Sequence, residues 1–143
     1  MYSNILIAVD LDQPNSWAKA LPTGLALARC FSAQVTLCTV VRDSTAAVEA
    51  EWSAIGYREM LDIAKARLHE LASSVADMEI GAEVGTGTVC GGILDVVARI
   101  GADLVVLGSH RPEMKDYLLG ANASRVVRRA SCSVFVVRGE ASQ

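Results

Sequence analysis

The chain has 143 residues, 52% of them apolar and 20% charged, with a net charge of −3. That length and apolar content exclude a mainly disordered chain and suit a single domain spanning residues 1–143. The mild acidity and the 5% aromatic content exclude the cationic face or array of stacking rings that nucleic-acid binding calls for.

Ile5-Leu6-Ile7-Ala8-Val9 is a continuous apolar run that reads as a buried first strand. It reaches Asp10 too soon for a secretory leader and carries no basic lead-in, and no later run approaches the roughly 18 apolar residues of a membrane span. A turn rich in Asp, Pro and Asn follows. Trp17, Leu21, Gly24, Leu25, Ala28 and Phe31 then recur at helical spacing, with Pro22 inside the pattern and expected to kink it. Residues 34–41 read as the second strand and 42–47 as a loop. A long helix runs on to about residue 76, with Leu61, Ala64, Leu68, Leu71 and Val75 inward and Arg58, Glu59, Asp62, Arg67 and Glu70 outward. Residues 79–85 form a more polar third strand suited to a sheet edge.

Residues 86–92 read as a glycine-rich turn. Ile93, Val96, Val97 and Ile100 mark the next helix face, and Gly101 its C-cap. Leu104-Val105-Val106-Leu107 is a fourth, fully apolar strand. The last helix spans about 120–130, with Val126, Val127 and Ala130 inward, and Val134-Phe135-Val136-Val137 is the fifth strand. Strands alternating with helices predict an α/β fold, a doubly wound open parallel sheet whose ligands bind at the carboxyl ends of the strands. The cysteines Cys30, Cys38, Cys90 and Cys132 are widely spaced among apolar residues and read as buried free thiols of a cytoplasmic protein.

The chemistry concentrates after the fourth strand, in Gly108-Ser109-His110-Arg111-Pro112 and then Leu118-Leu119-Gly120-Ala121-Asn122-Ala123-Ser124. A helix opening after Gly120 offers unpaired N–H groups to an anion. Ser109, Asn122 and Ser124 add neutral donors, and Arg111 adds a charged fork suited to phosphate. The same turn also serves as an ordinary strand–helix connection. His110 has no nucleophile motif beside it and reads as structural or solvated, as does His69. Asp95 and Asp103 suit a helix face and a turn rather than acid–base work. Arg125, Arg128, Arg129 and Arg138 form too short a basic set to argue for nucleic acid.

Taken in order, Ile5-Leu6-Ile7-Ala8-Val9-Asp10, Val35-Thr36-Leu37-Cys38-Thr39-Val40-Val41, Ala102-Asp103-Leu104-Val105-Val106-Leu107-Gly108-Ser109-His110, Leu118-Leu119-Gly120 and the segment from Ser124 to Arg138 resemble the universal stress protein family along essentially the whole chain. The resemblance implies a Rossmann-like sheet of the adenine nucleotide alpha hydrolase type, in strand order 3-2-1-4-5. It also implies a homodimer, or a tetramer built from it, joined through the last strand. Nucleotide-binding members carry G-x-x-G, nine residues, then G-[S/T]. Here Arg111 replaces the second glycine, eight residues separate it from Gly120, and Ala121 replaces the hydroxyl residue. The His-Arg-Pro segment and Gly120-Ala121-Asn122-Ala123 resemble the F/G-type branch, in which adenine nucleotides are held.

By that resemblance the ligand is ATP, or AMP or ADP. Asp10 would meet the ribose or a nucleotide-bound magnesium, and Val40 would meet adenine through its backbone. Gly87 matches the glycine after strand three. Gly108, Ser109, His110, Arg111, Gly120, Ala121, Asn122 and Ala123 would surround the phosphates and ribose. Asp12 stands where many relatives have Ser, and a second acid near a triphosphate is repulsive unless a cation lies between them. The expected role is regulatory or protective in a stress response, with no catalytic constellation in view. The alternatives are a slow ATPase or nucleotidyl-transfer enzyme and a nucleotide-free dimeric interaction module.

Overall fold

The computed structural model describes residues 1–42, 53–109 and 119–138. Its strands are β1 (Asn4–Ala8), β2 (Gln34–Arg42), β3 (Ile80–Gly87), β4 (Leu104–Ser109) and β5 (Ser133–Arg138). They form one five-stranded sheet in the order β3-β2-β1-β4-β5, parallel throughout. The helices are α1 (Ala20–Phe31), α2 (Ser53–Ser73), α3 (Val89–Ile100) and α4 (Ala121–Arg129). The expected parallel α/β architecture is present, and the polar third strand does take an edge.

Alternation along the strands splits the core into two layers. Ile5 and Ile7 of β1 face one side, where Leu25 and Ala28 of α1 and Leu68 and Ala72 of α2 cover the sheet. Leu6 faces the other, with Ile93, Val96 and Val97 of α3 and Ala123 and Val126 of α4. Continuous apolar runs in the central strands follow from this two-sided burial.

Four details differ from the sequence reading. Pro22 lies in the opening turn of α1, not its interior. The flanking bonds Leu21 N–H to Trp17 O (3.0 Å) and Thr23 N–H to Lys19 O (3.2 Å) are kept, so the proline omits one amide bond without breaking the helix. Residues 86–92 are not a loop. β3 runs to Gly87 and α3 starts at Val89, with the Thr88 side chain accepting the Gly91 N–H as N-cap. Val127 is 45% exposed, because the inward positions of α4 are Ala123, Val126 and Ala130 and residue 127 has turned past that face. Cys30 is exposed on α1, whereas Cys38 and Cys90 are buried and Cys132 is half-buried. The loop expected at 42–47 lies mostly outside the described residues.

β1 is short between longer neighbours. Its pairing with β2 ends at Ala8↔Cys38, and with β4 at Ile7↔Val106. β2 continues through residues 39–42 and β4 through 107–109. The sheet therefore has a notch at the carboxyl end of β1, where the strand order reverses.

Candidate functional site

A cleft of about 1110 Å³ opens over this notch. Its floor follows from strand alternation. The Cys38 carbonyl accepts a bond from Val9 N–H at 2.8 Å, so Cys38 presents its backbone to β1. Two residues on, Val40 presents its N–H and C=O to the same side, past the last residue of β1. That donor–acceptor pair has no ladder partner in β1 and borders the cleft.

Asp10 sits where β1 gives way to the turn. Its Oδ1 accepts the Asp12 N–H at 3.0 Å, an Asx turn. Its carbonyl accepts the Gln13 N–H at 3.0 Å and the Trp17 Nε1–H. The carboxylate thus has a fixed orientation at the cleft wall.

The opposite wall comes from β4 and α4. Gly108 packs directly on the β1–α1 turn, and a Cβ there would collide with the Ser16 carbonyl oxygen. The Ser109 Oγ accepts the Gly120 N–H at 2.9 Å. This bond ties the end of β4 to the start of α4 and leaves the serine proton available to donate. Gly120 is the N-cap of α4 and makes no side-chain cap bond, and the first helical bond is Ser124 N–H to Gly120 O at 2.9 Å. The amides of residues 121–123 precede that ladder and present the positive end of the helix.

Of the residues singled out from sequence, Asp10, Val40, Gly108, Ser109, Gly120, Asn122 and Ala123 line the one cleft. Two do not: Gly87 ends β3 at the sheet edge, and the Ala121 side chain faces solvent. His110 and Arg111 lie outside the described residues.

The sequence reading missed α2 as a wall. Met60, Ile63, Ala64 and Arg67 stand at i, i+3, i+4 and i+7, one stripe of the helix beside its buried stripe. Arg67 Nη1 reaches Asp12 Oδ1 at 3.0 Å, and Nη2 donates to the Leu11 carbonyl at 2.9 Å. Nothing in a lone arginine on an outward helix face signals a partner 55 positions earlier.

Cys38 borders the cleft, but burial pushes its thiol up to about 12, which removes it as a thiolate nucleophile at neutral pH. Among the described residues no three His, Cys, Asp or Glu side chains gather as a metal site. Asp10 has one oxygen in the turn and Asp12 is paired with Arg67. These two carboxylates make no all-protein magnesium cage, and a magnesium bound here would come with the nucleotide's phosphates and its own waters.

The pattern that defines the universal stress protein family matches residues 1–138. The chain belongs to that family. Universal stress protein A homolog 2 of Coxiella burnetii is 31% identical over 96% of this chain and 95% of its own length. Universal stress protein G of Shigella flexneri is 38% identical over 52% of this chain, and the match spans about half (54%) of that relative. Two solved structures share the fold. A universal stress protein in complex with cAMP superposes with a TM-score of 0.69 at 18% identity, covering 97% of this chain and 99% of that one. An Arabidopsis thaliana family member with AMP bound gives 0.67 at 16%, covering 97% and 93%.

Proposed function

We propose that this universal stress protein binds an adenine nucleotide in the cleft, ATP foremost, and acts by binding rather than by turnover in a regulatory or protective stress role. The observation that carries the reading is the pairing of two complementary ends in one cleft. At the β2 end, the Val40 N–H and C=O match the acceptor and donor on the edge of an adenine ring. At the β4 end, the amides opening α4 and the Ser109 hydroxyl match phosphate oxygens. Asp10 between them accepts ribose hydroxyls. Arg111, two residues after Ser109 in the sequence, is the charge that the family resemblance assigns to the phosphates. Two proteins of the same fold hold AMP or cAMP, in keeping with this choice of ligand class.

The protein works as a homodimer through β5 in the cytoplasm. Among the described residues no helix is long and apolar enough to cross a membrane, and the four cysteines are free, as a reducing compartment requires.

Mass spectrometry of small molecules released by denaturing freshly purified protein tests the reading. Adenine nucleotide near one per chain is expected. Gly120→Val, which places a branched side chain at the mouth of α4, should weaken ATP binding by roughly ten-fold or more by disturbing charge-assisted bonds. No released nucleotide and no calorimetric binding of added ATP would instead favour an interaction module. Phosphate or AMP release that tracks protein concentration and vanishes in Asp10→Asn would point to an enzyme.

A further inference from the structure

We propose that Arg67 is a built-in countercharge at Asp12, which lets this cleft accept a nucleotide polyphosphate without a divalent cation. The inference rests on the nucleotide-binding reading above.

Asp10 and Asp12 both border the cleft, so an incoming polyphosphate meets two carboxylates. Asp12 N–H donates to Asp10 Oδ1 at 3.0 Å, which keeps the two acids in one turn. Arg67 crosses from α2 and takes Asp12 Oδ1 at 3.0 Å while its second amino group holds the Leu11 carbonyl at 2.9 Å. The bond to the Leu11 carbonyl fixes the guanidinium at this spot. The Arg67 and Asp12 side chains are 47% and 84% exposed, and a pair so exposed adds little to folding stability. Its consequence falls on the field inside the cleft. A cation beside these acids is what a nucleotide-bound magnesium would otherwise supply, and Arg67 already takes that place at Asp12.

Arg67 also ties α2 to the β1–α1 turn, and this mechanical role separates cleanly from the electrostatic one. Losing the tie would weaken neutral and charged ligands alike, and removing Asp12 as well would not repair it. Losing the countercharge would penalise ligands in order of their charge, and removing Asp12 would repair it.

Calorimetric binding of adenosine, AMP and ATP to the wild-type chain, Arg67→Gln, Asp12→Asn and the double variant, in EDTA and then in Mg²⁺, makes the distinction. For the wild type, ATP affinity in EDTA should stay within about three-fold of that in Mg²⁺. Arg67→Gln should lose roughly ten-fold for ATP in EDTA, less for AMP and nothing for adenosine, and Mg²⁺ should restore it, as expected for unit charges a few ångströms apart near a surface. The double variant should recover wild-type ATP affinity in EDTA to within about two-fold, since removing both charges leaves the balance as it was. Equal losses for all three ligands, or no recovery in the double variant, would overturn the countercharge alone. A wild-type chain that binds none of the three ligands would overturn the nucleotide reading and this inference with it.

Discussion

Asp103 lies at the end of the sheet away from the cleft and shows how a single side chain can close a strand. Its Oδ2 accepts the Ser3 N–H at 2.9 Å and the Ser3 hydroxyl at 3.0 Å, and its Oδ1 accepts the Asn4 N–H at 3.0 Å. The bond from the Ser3 amide, with that from Asn4 and the Ser3 hydroxyl, holds the carboxyl below its ordinary value of 3.8. A lowered folded value means that the ionised form stabilises the fold in full above 3.8. That contribution is lost as pH falls through the lower folded value. Asp103→Asn should therefore lower the urea midpoint at neutral pH, and the gap from wild type should close as the pH drops below 3.8. The same gap at pH 7 and pH 3 would show that the carboxylate's charge is not what matters. Asp103 was legible as a turn residue because it lies between the Gly101 C-cap and the apolar run of β4, although its partners at the start of β1 were not. Arg67 was not, because its partners come from a turn that only the folded sheet brings alongside α2.

Periodicity revealed the strands and helices well, since burial on two sheet faces leaves continuous apolar runs and burial on one helix face leaves a stripe. It did not reveal where one element passes into the next. The glycines at 85, 87, 91 and 92 carry no side-chain pattern and so read as a turn. Gly85 and Gly92 are there for contact, and Gly87 for its φ of 91°. A Cβ on Gly85 would sit 2.7 Å from the Gly92 carbonyl oxygen and 2.9 Å from its carbon, both backbone atoms that cannot swing aside. α3 therefore packs its first turn directly on β3, and only Thr88 is needed between them. Gly85→Ala should push that turn off the sheet and cost about 1–3 kcal/mol, the usual range for overpacking a tight contact. Urea denaturation measures the loss. A variant as stable as wild type would mean that the two backbones can part freely. The displaced turn also carries Val89 and Ile93 along the cleft, so a drop in ATP affinity should accompany the lost stability.

At the scale of the whole molecule, the two edges of the sheet differ in kind. β3 at one edge reads Ile-Gly-Ala-Glu-Val-Gly-Thr-Gly, short in apolar side chains and interrupted by glycine. β5 at the other edge reads Ser-Val-Phe-Val-Val-Arg, and Phe135 is 42% exposed on it. Among the described residues β5 pairs with β4 alone in the sheet; an apolar edge strand is a template for another strand, and a second copy of the same edge satisfies it in a closed, two-fold way. The alternative occupant, uncontrolled aggregation, is what natural edges are built to avoid. Covering Phe135 and its neighbours Val134 and Val136 across a two-fold axis would close the edge and bury the exposed ring at once. Light scattering on the eluting chain at micromolar concentration should give twice the chain mass. Phe135→Glu sets two like charges across the axis, in a site where each would be desolvated, and should return the mass to that of one chain while the circular dichroism of the α/β fold is kept. A wild-type chain that runs as a single copy at that concentration would rule out β5 as the joining edge.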